Sequence, residues 1–213
     1  MTIATVTTLA SPSSPMKSVK QASLMFEGLC TITQSLLQFH RSSLGGRFHL
    51  LVPLMQRLLA CLFSPSSRDA GTINRFKHPA WLDQSNASLT LKHAQKFSRL
   101  LENLCNPPQL NMAGNRGKAP ELVDETRKAR MHVAQHAPHI LHYYCTLILN
   151  GKLGEGMRDA LTPGMWAIID VAEIGADDTR GVKALSSSMG NADRAVLRGI
   201  WEDWRRFGGA WKG

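Results

Sequence analysis

No stretch of this chain reaches the ~18 uninterrupted apolar residues that a membrane-spanning helix needs, and the nearest approach, Leu50 to Phe63, is broken by Gln56 and Arg57. No charge precedes Lys17, so the start lacks both the cationic head of a secretory leader and the arginines of a mitochondrial presequence. Its Thr, Ser, Ala and Pro content predicts a disordered tail over residues 1–16. Cysteine is sparse and scattered. Cys30, Cys61, Cys105 and Cys145 form no Cys-x-x-Cys pair, which removes zinc knuckles and dithiol redox chemistry. Each lies in an apolar stretch, where a thiol acts as a small buried hydrophobe in a reducing compartment. There is no Gly-x-Ser-x-Gly nucleophile elbow and no phosphate loop ending in Gly-Lys-Ser/Thr; Asn115-Arg116-Gly117-Lys118 is basic and glycine-containing but follows no strand. Alternating apolar and polar runs are missing too, so no strand is predicted. Neither catalysis, a cofactor nor a small-molecule substrate is indicated by what remains.

Acidic residues are scarce in the first part of the chain. Residues 1–120 hold 13 Lys and Arg against 4 acids, whereas residues 121–213 hold 12 of each, so the whole formal charge of +9 comes from the first part. Such an excess favours polyanions through counterion release without specifying a sequence. A basic, solvated face with no partner would give the same count.

Apolar residues recur at helical spacing along most of the chain, which predicts an all-α protein: an irregular, solenoid-like stack of helices in one domain over residues 17–213. The first helix runs from about Val19 to Phe39. A second, from about Arg47 to Phe63, tolerates Pro53 because it falls in the first turns. A long connection over residues 64–88 reads as mobile, with Phe76, Trp81 and Leu82 available to dock. The next helix is capped by Thr90 and packs through Ala94, Phe97, Leu101 and Leu104, ending at Asn106-Pro107-Pro108. Residues 107–120 read as a mobile insertion. Helices resume from Glu121, break at Pro138 and end at Asn150-Gly151. A short helix over Glu155 to Leu161 then precedes one started by Thr162-Pro163-Gly164, nearly wholly apolar from Met165 through Trp166 to Val171. Asn191 caps the last helix, and Val196, Leu197, Ile200, Trp201, Trp204 and Phe207 form one broad apolar face expected to dock on the core.

Histidines 132, 136, 139 and 142 have metal-like spacing, but Pro138 spoils the geometry and Val133 stands where a zincin helix carries its general base. Partly packed or surface histidines and no metal site are expected. Asp170, Glu173, Asp177 and Asp178 lack calcium-loop spacing. Two basic groups are the candidate contacts for RNA or an acidic partner: Lys92, Lys96 and Arg99 on one helix side, with Arg116 and Lys118 in the following loop, and Arg205, Arg206 and Lys212 beside Trp211 at the end. Arginine next to an aromatic ring can stack on unpaired bases as well as hold phosphate. The competing reading is structural, with Arg99 and Arg206 paired to acids such as Asp170 or Asp203.

Four segments carry a family resemblance. The Pro163-Gly164-Met165-Trp166-Ala167-Ile168-Ile169-Asp170-Val171 helix with the terminal Trp201-Glu202-Asp203-Trp204-Arg205-Arg206-Phe207-Gly208, the opening Gly46-Arg47-Phe48-His49-Leu50-Leu51-Val52-Pro53, and the central Phe97-Ser98-Arg99-Leu100-Leu101 with Cys105-Asn106-Pro107 occur in family order. Over about residues 44–213 the chain resembles the C-terminal domain of the fungal nucleolar large-subunit pre-rRNA processing proteins (unhealthy ribosome biogenesis protein two, or nucleolar pre-ribosomal-associated protein two). Proteins of that family are very long and end in this domain, whereas this chain begins almost where the domain does, as a fragment, a truncated gene model or a shortened paralogue would. The resemblance implies a nuclear, nucleolar scaffold whose partner is the pre-ribosomal particle, with its precursor rRNA and other assembly factors. A helical protein-interaction module that never touches RNA is the alternative.

Overall fold

Helices form wherever the apolar residues recur every three or four positions. The computed structural model describes residues 3–11, 22–44, 46–65, 78–79, 81–82, 89–106, 119–174, 176 and 181–208. Among them are nine α-helices: α1 (Ile3–Leu9), α2 (Ala22–Phe39), α3 (Leu51–Cys61), α4 (Leu91–Cys105), α5 (Ala119–Ala134), α6 (Ala137–Asn150), α7 (Met157–Ala172), α8 (Val182–Ser188) and α9 (Asn191–Phe207). Their stacking is that of an irregular all-α bundle.

The centre is a layer formed by α4 and α7, which share the longest interface. Helix α2 covers the other flank of α4, α6 packs on α7, and α3 and α9 pack on α6. Ala94, Phe97, Leu100, Leu101 and Leu104 of α4 meet Leu161, Met165 and Ile168 of α7 within one buried cluster that extends from Val6 to Ile200. Phe97 and Leu101 are fully buried, as their spacing predicts. So are the four free cysteines, and burial pushes the thiols of Cys30 and Cys145 up to about 12 and raises those of Cys61 and Cys105 as well.

Pro138 falls at the start of α6, after a break between α5 and α6, in the place its fixed backbone angle favours. Pro163 behaves otherwise. It lies inside α7, which begins at Met157, and the expected short helix and the Thr162-Pro163 start are one continuous element. Thr162 donates its Oγ1 hydrogen back to the Arg158 carbonyl (3.0 Å) and caps nothing. A helix-interior proline costs about 3 kcal/mol. Met157 and Leu161, both buried on the same face as Met165, contribute about 1.5–3 kcal/mol each, which is enough to carry the helix through.

Four further expectations are corrected. Residues 3–9, placed in a disordered tail, form α1: Val6 is fully buried, the Trp81 indole N–H donates to the Leu9 carbonyl (2.7 Å), and the Thr7 and Thr8 hydroxyls bond back to Ile3 and Ala4 (2.9 Å each). Polar composition hid this helix because its threonines satisfy themselves on their own turn. Within the connection over residues 64–88, Trp81 and Leu82 are buried, as their availability to dock predicts, and so is Pro79; the departure is that Phe63–Pro65 (β1) forms a short antiparallel pair of strands with Gly151–Leu153 (β2), in register Phe63 with Leu153. Strands of 3 residues are too short to show alternation. Phe76 and residues 107–118 lie outside the described residues. Asn191 is the first residue of α9, not its cap; that place belongs to Gly190, whose carbonyl accepts the Arg194 N–H at 2.9 Å. Finally, Phe207 is 58% exposed rather than docked, since it lies in the final turn of α9, beyond the contact that fastens the helix at Trp204.

Candidate functional site

Two helices carry the exposed positive charge that the sequence singled out. On α4, the face opposite Phe97 and Leu101 presents Lys92 and Arg99 to solvent with Lys96 half-buried between them, a spacing of four and three that places all three on one stripe. Arg99 also acts on Glu102: burial raises that carboxyl, while the Ser98 hydroxyl and the Arg99 charge pull it down. On α9, Arg205 and Arg206 are exposed in the last turn. Arg116, Lys118, Trp211 and Lys212 lie outside the described residues. Helix α7 stands between α4 and α9, so the two basic groups occupy different parts of the bundle.

Not every cation of the basic first part is free to meet a partner. Arg41 donates to the Leu37 carbonyl (3.3 Å) at the end of α2, to the Leu104 carbonyl (3.0 Å) and to the Asn103 carbonyl, so one guanidinium closes the C-terminal ends of two helices. Its charge opposes the negative ends of both helix dipoles, and burial lowers its pKa. Sequence reasoning missed this residue; its position just past the end of an apolar helix was the available signal.

His93, the third residue of α4, is nearly buried and works as part of the cap. The Thr90 backbone N–H donates to Nδ1 (2.9 Å), which leaves the hydrogen on Nε2 to face Ser23 Oγ at 2.6 Å, with a Glu27 oxygen 3.6 Å away. Desolvation lowers its pKa in spite of Glu27. His132 stacks parallel on Phe48 (6.2 Å between centroids), and His136 sits 6.3 Å from His49. These rings pack the corner between the Phe48–Leu50 turn and the α5–α6 break. Among the described residues no three His, Cys, Asp or Glu side chains are arranged to hold a metal.

The motif residues of α7 build a helix crossing. The Gly164 N–H donates to Ser98 Oγ of α4 at 2.8 Å, and a Cβ at Gly164 would stand 2.9 Å from the Ser98 Cα, carbonyl oxygen and Oγ. Glycine is thus the residue that lets α4 and α7 touch backbone to side chain. Trp166 is half-buried on the same helix. Asp170 accepts the Trp204 indole N–H at 2.9 Å. The rings of Trp201 and Trp204 lie 4.8 Å apart, tilted by 32°, and both are partly buried against the core.

A family model described as the Urb2/Npa2 family matches residues 1–213. The chain belongs to the Urb2/Npa2 family. No curated protein and no solved structure matches it. The Urb2/Npa2 match spans the whole chain, so it takes in α1 and α2 ahead of the segments that carry the resemblance. Urb2/Npa2 proteins act in ribosome biogenesis. Within that setting the Phe97-to-Leu101 and Pro163-to-Val171 motifs are the two sides of the central helix crossing. Among the described residues no helix is long and apolar enough to cross a membrane.

Proposed function

We propose that this chain is a non-catalytic helical scaffold that joins early large-subunit precursor particles in the nucleolus, supports processing of their precursor rRNA, and meets that rRNA through the outer stripe of α4. The observation that carries the reading, beside family membership, is that the inner side of α4 is fixed in the core by Phe97, Leu100, Leu101 and Leu104 while Lys92 and Arg99 stand in solvent. Charges on a fixed element hold a register against phosphates that a flexible tail does not. The single buried cluster from Val6 to Ile200 supports one helical domain that takes in α1 together with residues 17–213.

Two assays test this together. Wild-type chain binds a precursor-rRNA transcript with an affinity that falls steeply with salt, and changing Lys92, Lys96 and Arg99 together to Glu lowers the log–log salt slope by about 2–3. The same triple variant leaves pre-60S fractions on a gradient. Retained sedimentation with precursor particles, without measurable RNA affinity, would replace this reading with contact to assembly factors alone.

A further inference from the structure

Trp201 is not simply a core residue. Along α9, Arg198, Trp201 and Arg205 follow at spacings of three and four, so they form one stripe on the flank of the helix beside its buried face of Leu197 and Ile200. Arg198 and Arg205 are exposed and Trp201 is half-exposed between them. Among the described residues neither guanidinium takes part in an ion pair or a hydrogen bond. The preceding member of the same stripe, Arg194, is occupied: it donates to the Ser186 and Met189 carbonyls (2.8 and 3.0 Å) at the end of α8 and pins the start of α9. At the other end, the Trp204 indole is locked by its bond to Asp170, and Trp201 leans on it at 4.8 Å. The Trp201 ring is therefore held in place before any partner arrives.

From this arrangement we infer that the Arg198–Trp201–Arg205 stripe is a binding site for single-stranded nucleic acid, RNA in the proposed setting, with an unpaired base stacked on Trp201 and its flanking phosphates held by the two arginines. Guanidinium groups three and four residues from an indole supply both terms that such a ligand needs, charge for phosphate and an aromatic face for the base. A duplex offers the phosphates but keeps its bases stacked, so the ring gains nothing from it. An acidic protein would use the arginines and leave the ring idle. The inference rests on RNA being a ligand of the chain, but it uses a surface separate from the α4 stripe.

The test uses the whole chain with a fluorescent 15-nucleotide oligo(A), the same length of oligo(dA), duplex RNA and polyglutamate. Oligo(A) should bind more tightly than duplex or polyglutamate. Trp201→Ala and Trp201→Leu, the second keeping apolar bulk against the core, should each weaken oligo(A) binding about tenfold while leaving duplex binding unchanged. Arg198→Glu with Arg205→Glu should flatten the salt dependence for every polyanion. The triple Glu variant on α4 should weaken oligo(A) and duplex alike, which separates failure of that face from failure of this one. Equal affinity for oligo(A) and duplex, tightest binding to polyglutamate, or wild-type oligo(A) affinity in a folded Trp201→Leu chain would each overturn the inference; oligo(dA) matching oligo(A) supports the stacking site and denies it selectivity for RNA.

Discussion

Replacing Gly164 by Ala reverses the usual sign of a glycine-to-alanine change in a helix. In an open helix the exchange stabilises by roughly 0.5–1 kcal/mol, because glycine loses more backbone freedom on folding. At Gly164 the new Cβ stands 2.9 Å from the Cα and carbonyl oxygen of Ser98, atoms of a neighbouring helix backbone that cannot swing aside like the tip of a side chain. Forcing α4 and α7 apart costs about 1–3 kcal/mol as overpacking, and stretching the buried 2.8 Å bond from Gly164 N–H to Ser98 Oγ costs about a further 1 kcal/mol. The net expectation is a loss of about 1–3 kcal/mol, or a fall in melting temperature of roughly 2–10 °C for a chain of this size. Thermal unfolding followed by circular dichroism measures it. Gly199→Ala on α9 and Gly28→Ala on α2 are the internal controls, since nothing lies within 4 Å of a Cβ at either position. Both should raise the melting temperature. If Gly164→Ala were as stabilising as these two, the account of the central crossing would be wrong.

Ser98→Ala should destabilise by about 1–3 kcal/mol, because it leaves the Gly164 N–H buried without its acceptor; chemical denaturation reads the loss. Trp204→Phe keeps most of the ring but removes the donor to Asp170, and should cost about 1–2 kcal/mol while shifting the fluorescence of the neighbouring Trp201. The four thiols should resist Ellman's reagent in the native protein and react together on unfolding, since all are buried and their pKa values are raised. Stability should also fall with acid. Burial lowers the pKa of His136, aided by the charges of His139, His49 and His132, and burial likewise lowers that of His93. The unfolded chain then binds more protons than the folded one below the ordinary histidine value of about 6.5. Stability is full above that value and declines as pH drops through it, and a His136→Gln chain should show a shallower decline in melting temperature between about pH 7.5 and 5.5.

Periodicity alone was enough to read α4 and α9, because each has one face of closely spaced apolar residues and an opposite face of charges, and the break at Pro138 was legible from its fixed backbone angle. The cysteines were legible for the same reason, each lying within an apolar helix. What stayed hidden depended on partners distant in the chain. Ile3–Leu9 looks like tail until Trp81 reaches back to the Leu9 carbonyl, and Pro163 looks like a helix start until Met157 and Leu161 are seen to bury ahead of it. Arg41, counted from composition as surface charge, is absorbed by carbonyls of two helices.

The sequence by itself determined that the protein is helical, which residues of α4 face inward, and that positive charge gathers in its first part, since these follow from spacing and composition over short distances. Tertiary structure decided which charges remain for a partner and which tryptophans are core. Phe207 and half of Trp201 escape burial because α9 is fastened at Trp204 and Asp170, and no local pattern states where one helix ends relative to the one beneath it.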